Sequence, residues 1–175
     1  CFVSYTSIIE LCGGKVVKIP LSESNDFRLD PDDLRKVVSN NTKMIIINSP
    51  HNPTGAVMTE DEIREVYEIA EYYDIYLLSD EVYARMVYED TNTKFCSPSV
   101  YDQCRERTLI VHSFSKSYAM TGWRIGAITA PEKVIKRMSL LLETITSCVS
   151  PFVQLGAIKA MTDSQEYVDG MIAEY

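Results

Sequence analysis

The run Met44-Ile45-Ile46-Ile47 constrains this chain most. Its residues are apolar throughout with no polar alternation, which fits a strand buried on both faces. Strands of that kind belong to parallel sheets, and parallel neighbours need a crossover, usually a helix. The next stretch supplies one. Thr59-Glu60-Asp61-Glu62 is a capping box: the Thr59 hydroxyl can accept from the backbone three residues on, and Glu62 can reach back. Ile63, Val66, Tyr67, Ala70 and Tyr73 then share one face at helical spacing.

The same alternation runs through the rest of the chain. Val16-Val17-Lys18-Ile19 reads as a strand, and Asp30-Pro31-Asp32-Asp33 opens a helix with Asp30 as N-cap and Pro31 at the first helical position. Ile75-Tyr76-Leu77-Leu78, Thr108-Leu109-Ile110-Val111 and the short Gly126-Ala127-Ile128-Thr129-Ala130 read as further strands, five in all. Pro131 starts a helix whose apolar stripe is Val134, Ile135, Met138, Leu141, Leu142 and Ile145. The expected fold class is α/β, a mostly parallel sheet with helices on both faces. No repeat, low-complexity tract or linker interrupts it, and 175 residues suit one domain with a real core. The first residues lack an element start, and the last lie inside an amphipathic pattern (Tyr167, Val168, Met171, Ile172, Tyr175) without a stop signal. Residues 1–175 are therefore expected to be one domain truncated at both ends.

Ligands of open α/β sheets sit at the carboxyl ends of the strands. The polar clusters of this chain fall there. Asn48-Ser49-Pro50-His51-Asn52-Pro53-Thr54-Gly55 follows the 44–47 run, Ser79-Asp80-Glu81-Val82-Tyr83 follows 75–78, and His112-Ser113-Phe114-Ser115-Lys116-Ser117 follows 108–111. Taken singly, each has an ordinary reading. Asn-Pro-Thr-Gly makes a good turn. An Asp more often caps a helix than catalyses, and a lone Lys is usually solvated. In this order, on successive strand ends, they are far more specific.

The ordered set Asn52-Pro53-Thr54-Gly55, Asp80-Glu81-Val82-Tyr83, Ser113-Phe114-Ser115-Lys116 and Thr121-Gly122-Trp123-Arg124-Ile125-Gly126 resembles the signature of class I aminotransferases of fold type I. The resemblance runs from Phe2-Val3-Ser4-Tyr5 over essentially the whole chain. It implies the large, cofactor-binding domain of an enzyme that uses pyridoxal 5'-phosphate. That cofactor is an electron sink, and the protein supplies attachment, orientation and electrostatics. The resemblance makes Lys116 the residue that holds the cofactor as an internal Schiff base and, once freed, carries a proton between substrate and cofactor, a task suited to a lysine of lowered pKa. It makes Asp80 the partner of the pyridine nitrogen, and Tyr83 and Asn52 the pair on the ring oxygen. Ser113, Ser115 and Arg124 become part of the phosphate cup, where the planar fork of Arg suits phosphate. Phe2 becomes an aromatic ring stacked on the cofactor. Gly122 and Gly126 are expected to allow close backbone approach beside the phosphate. The Asn52–Pro53 bond is expected to be cis, turning Asn52 toward the ring.

The implied activity is transfer of an amino group from an amino acid to a 2-oxo acid, in the cytoplasm and by a homodimer. The resemblance also implies segments that this sequence lacks: an earlier glycine-containing phosphate loop, a later small domain with an arginine for the substrate carboxylate, and residues from a second subunit. Without that arginine the fragment alone is expected not to complete turnover. A fold type I C–S lyase is an alternative, although Tyr83 stands where such lyases tend to carry His. A non-catalytic domain that senses pyridoxal phosphate within a regulator is another. Nucleotide binding has little support, because the phosphate-loop and dinucleotide glycine patterns are absent from the sequence.

The remaining composition excludes rather than assigns. A net charge of −8 argues against a nucleic-acid surface. No apolar run approaches the length that spans a bilayer, and the amino terminus has no basic flank followed by an apolar core, so neither a membrane anchor nor a signal peptide is expected. The five cysteines include no C-x-x-C pair, and His51 and His112 are far apart, so reduced thiols and no metal site are expected.

Overall fold

The computed structural model describes residues 3–88 and 93–175. Within them a four-stranded sheet has the order β1 (Met44–Asn48), β2 (Tyr76–Asp80), β3 (Thr108–Ser113), β4 (Gly126–Thr129). Around it run α1 (Val3–Leu11), α2 (Pro31–Val37), α3 (Glu60–Tyr72), α4 (Ser99–Asp102), α5 (Phe114–Ser117), α6 (Glu132–Ile145), α7 (Pro151–Thr162) and α8 (Glu166–Glu174). β1 pairs with β2, and β2 with β3, in parallel. β3 pairs with β4 antiparallel. The chain leaves β3 at the carboxyl edge, folds α5 and a tight turn there, and re-enters at the same edge, so β4 runs the other way. The sheet is thus mostly parallel, as its sequence pattern predicts.

The parallel register sorts the side chains. Ile45 pairs with Leu77 and Leu77 with Thr108, while Ile47 pairs with Ser79 and Ser79 with Ile110. Partners share a face, and these residues are all buried. Against Ile45, Ile47 and Leu77 pack Ile63, Val66, Tyr67, Ile69 and Ala70 of α3 and Leu34 of α2. Burying each such aliphatic side chain is worth roughly 1.5–3 kcal/mol. The capping box sets the start of α3: Thr59 Oγ1 accepts from Glu62 N at 3.2 Å and Thr59 N donates to Glu62 Oε2 at 2.7 Å. Asp30 caps α2 by accepting from Asp32 N, with Pro31 at the first position.

One expectation fails. Residues 16–19 form no strand. A strand exists through a paired neighbour, and among the described residues this segment has none; Ile19 packs on the core only through its side chain. The sheet therefore has four strands and not five. The apolar stripe of α6 is present, but no residue of that helix is buried. Periodicity predicts that a helix has an apolar face, not that a partner lies against it.

Candidate active site

Because β1, β2 and β3 run parallel, their carboxyl ends meet along one edge. Asn48 is the register partner of Asp80, and Asp80 that of Val111. The clusters after these strands are therefore neighbours, as the sequence order predicts.

Asn48 joins two of them. Its Nδ2 donates to the Asp80 carbonyl at 3.1 Å, and its Oδ1 accepts from Asn52 N at 2.9 Å. The turn that carries Asn52 is thereby tied to the end of β2. The turn closes on itself through Gly55 N to His51 O and His51 N to Ala56 O, both 2.8 Å. Gly55 has φ +76°, the left-handed region that suits glycine. The Asn52–Pro53 bond is cis, as expected, and so is Ser49–Pro50. Asn52 Nδ2 reaches Tyr83 Oη at 3.5 Å, which brings together the pair expected on a cofactor ring oxygen. A recess of about 330 Å³ opens between Pro50, Asn52, Val57, Tyr83 and Met86.

Asp80 is 9% exposed. Its Oδ1 accepts from Val82 N at 3.3 Å and its Oδ2 from the Tyr5 hydroxyl at 2.7 Å. Tyr5 belongs to α1, outside the polar clusters that follow the strands. Partial burial, the hydrogen bond to Asp80 and the Asp80 charge all raise the Tyr5 pKa, so at neutral pH the phenol is a donor to a carboxylate. Nothing local in the sequence signals this contact.

Ser113 ends β3 and caps α5, its Oγ accepting from Ser115 N at 3.1 Å. This short helix carries Lys116. Lys116 is exposed, and its Nζ lies 5.9 Å from the Tyr83 ring centroid. No hydrogen bond or ion pair to another described residue engages the amine. Arg124 is exposed and left-handed (φ 52°), and its Nη1 donates to Thr121 O at 3.0 Å. Holding a non-glycine residue in this region costs energy and concentrates at functional sites. At Gly126 the close approach is to β3: a Cβ there would lie 2.7 Å from the His112 carbonyl oxygen. At Gly122, among the described residues beyond its chain neighbours, no atom comes within 4 Å of that position. Phe2 lies outside the described residues.

The residue after Asp80 is also buried. Glu81 is 4% exposed and its Oε1 accepts from the Ser97 hydroxyl at 2.6 Å. Burial pushes its carboxyl above the usual range, hydrogen bonds from Ser97 and Ser79 pull it back, and the Asp80 charge raises it further. It lines a cavity of about 380 Å³ together with Cys104, Ile110 and His112. Burial raises the Cys104 thiol to about 11, so it stays protonated at neutral pH. Among the described residues no group of acidic, His and Cys side chains is arranged to hold a metal.

A mostly parallel α/β sheet with Lys, Asp, Tyr and Asn gathered at its carboxyl edge is the large-domain architecture of fold type I enzymes. The family profile described as aminotransferase class I and II matches residues 1–175. The chain belongs to that family, whose members in general depend on pyridoxal phosphate. It is 42% identical to an aspartate aminotransferase of Pyrococcus abyssi and 42% identical to aromatic-amino-acid aminotransferase 2 of Thermococcus litoralis, in each case over 99% of this chain and 45% of the relative. Among solved structures it superposes on an aromatic aminotransferase from Pyrococcus horikoshii with a TM-score of 0.93 and 39% identity, covering 100% of this chain and 47% of that one. It also superposes on a Thermus thermophilus aspartate aminotransferase with maleate, with a TM-score of 0.91 and 34% identity, covering 99% and 44%. The chain thus spans under half the length of these relatives.

Proposed function

We propose that this chain is the cofactor-holding core, residues 1–175 of a partial large domain, of an enzyme that moves an amino group from an amino acid to a 2-oxo acid. One observation carries the reading: Lys116, Asp80, Tyr83 and Asn52 converge at the carboxyl edge of three strands, in a chain of the aminotransferase family.

The donor set fits pyridoxal 5'-phosphate. Lys116 offers an exposed amine with no ion-pair partner among the described residues. Asp80 offers a buried carboxylate for the pyridine nitrogen, Tyr83 and Asn52 a hydroxyl and an amide for the ring oxygen, and Ser113, Ser115 and Arg124 donors for the phosphate. Gly122 and Gly126 keep the adjoining backbone free of side chains. Phe2 is the proposed stacking ring. When bound, the cofactor withdraws electrons from the substrate α-carbon.

The remaining work falls to the chain. Lys116 Nζ would hold the cofactor and, when free, would move a proton at the substrate α-carbon. Asp80 would place a carboxylate beside the ring nitrogen and so favour its protonated form. Tyr5 and the Val82 amide fix both Asp80 oxygens, so the carboxylate is oriented before anything binds. Asn48 holds the Asn52 turn against the end of β2. Other family segments, from the same chain and a second copy, complete the phosphate loop and the grip on the substrate carboxylate. We place the enzyme in the cytoplasm as a homodimer. Described Cys12, Cys96, Cys104 and Cys148 are free thiols, and no helix of the described residues is long and apolar enough to cross a membrane.

The test uses the natural protein that carries this chain. Added pyridoxal phosphate should give a visible band that borohydride fixes onto the Lys116 peptide, and Lys116→Ala should lose both. A band that reduces onto another peptide, or survives in the variant, overturns the assignment.

A further inference from the structure

We propose that Arg85 is a positioning residue that sets Lys116 against Tyr83 by clamping three separate chain segments, and so controls how readily the amine captures its cofactor. The proposal rests on the reading of Lys116 given above. Arg85 lies in the turn after β2, two residues beyond Tyr83. Its guanidinium is about one-third exposed. Nη1 donates to the Tyr118 hydroxyl at 3.3 Å and to Gln165 Oε1 at 2.6 Å, and Nη2 reaches Asp169 Oδ1 at 3.3 Å. Its Cζ also sits 5.6 Å from the centroid of the Tyr118 ring.

Each partner is itself held. Tyr118 is two residues past Lys116; its backbone N–H returns to the carbonyls of Lys116 and Phe114, closing α5. Its ring stacks on Phe114, centroids 5.3 Å apart, and Phe114 packs with Met120 and Ala157. Gln165 is fixed by its own Nε2, which donates to Ala160 O at 3.1 Å and Asp163 O at 2.8 Å. The guanidinium therefore ties the Tyr83 turn both to the helix that carries Lys116 and to the α7–α8 junction.

The chemistry suits Arg and no other side chain. A rigid, planar fork can serve acceptors in several directions at once, whereas an ammonium on a flexible stem cannot hold them in one geometry. The Asp169 contact is largely solvated, so screening leaves it a minor part. The contact that matters for Lys116 is Tyr118, because it moves with α5. Lys116 makes no hydrogen bond or ion pair of its own among the described residues, so its approach to Tyr83 is set by the backbone beneath it.

The test measures covalent uptake of pyridoxal phosphate by the cofactor-free natural protein, followed as growth of the visible band and confirmed by borohydride trapping at Lys116. Loss of orientation should slow uptake by Arg85→Ala roughly tenfold, a modest share of what misplaced reacting groups can cost. Arg85→Lys should fall between parent and Ala. Tyr118→Phe, which keeps the ring but not the hydroxyl, should slow uptake in the same direction, and the double variant should be no slower than Arg85→Ala, as for groups acting through one contact. In steady state the loss should fall on kcat with KM little changed. If Arg85→Ala does not fold, Tyr118→Phe and Gln165→Leu carry the test. Uptake at the parental rate in folded variants overturns the clamp and leaves the Lys116 assignment standing. A parent that forms no Lys116 adduct overturns that assignment, and the clamp with it.

Discussion

Glu81 carries a carboxyl group to a place where charge is costly. Its pKa is raised in the folded chain chiefly by burial, and the unfolded chain returns it to the ordinary value. Between those two values the native state binds more protons than the unfolded state, so stability falls as pH rises through that window. The penalty is complete above the folded pKa and absent below the unfolded one. Glu81→Gln keeps an acceptor for the Ser97 hydroxyl and removes the charge. The variant should be more stable than the parent at neutral pH and lose that advantage in acid, below the ordinary carboxylate range. Urea midpoints of the natural protein at a series of pH values measure this; a constant difference between the two at every pH sinks it.

Gly126 shows how an element can depend on one absent atom. It begins β4 opposite Ser113, and an added Cβ would sit 2.7 Å from the His112 carbonyl oxygen. The obstacle is backbone, which cannot rotate aside. Gly126→Ala should therefore push β4 off β3 and destabilise the natural protein by about 1–3 kcal/mol, the usual cost of overpacking. The same shift would move Ser113 and Arg124, so cofactor retention during gel filtration should fall together with the melting temperature. Unchanged values of both would show that the strands part without cost. Strands and helices with local signals were legible in the sequence: the 44–47 run, the Thr59 capping box, the Asp30–Pro31 start. So was the convergence of Asn52, Asp80 and Lys116, since strand order alone places their clusters on one edge. What depends on distant partners was not. Residues 16–19 have the composition of a strand, but pairing decides. The Tyr5–Asp80 bond joins residues 75 apart in sequence, and Arg85 meets Gln165 across 80; no local pattern encodes either.

The whole molecule leaves apolar surface in the open. In α1, Leu11 is 86% exposed; in α7, Phe152 is 72% and Leu155 65% exposed; in α6, Leu140, Leu141 and Ile145 are all exposed. Leu141 and Ile145 stand one helical turn apart, as do Phe152, Leu155 and Ile158 along α7, so these are faces and not scattered residues. Covering one such side chain is worth roughly 1.5–3 kcal/mol. Association must also offset the cost of immobilising two bodies, so several of these side chains have to be covered together. The 175-residue chain expressed by itself should therefore elute in gel filtration above its 19.9 kDa mass and bind a hydrophobic dye. Changing Leu141, Ile145, Phe152 and Leu155 to polar residues should shift it toward the monomer, with helix content unchanged by circular dichroism, because none of the four is buried. A parent chain that is monomeric and silent to the dye would mean that these helices fold over one another in solution. Dye binding that persists in the polar variant would place the exposed surface elsewhere, with α1 the next region to change.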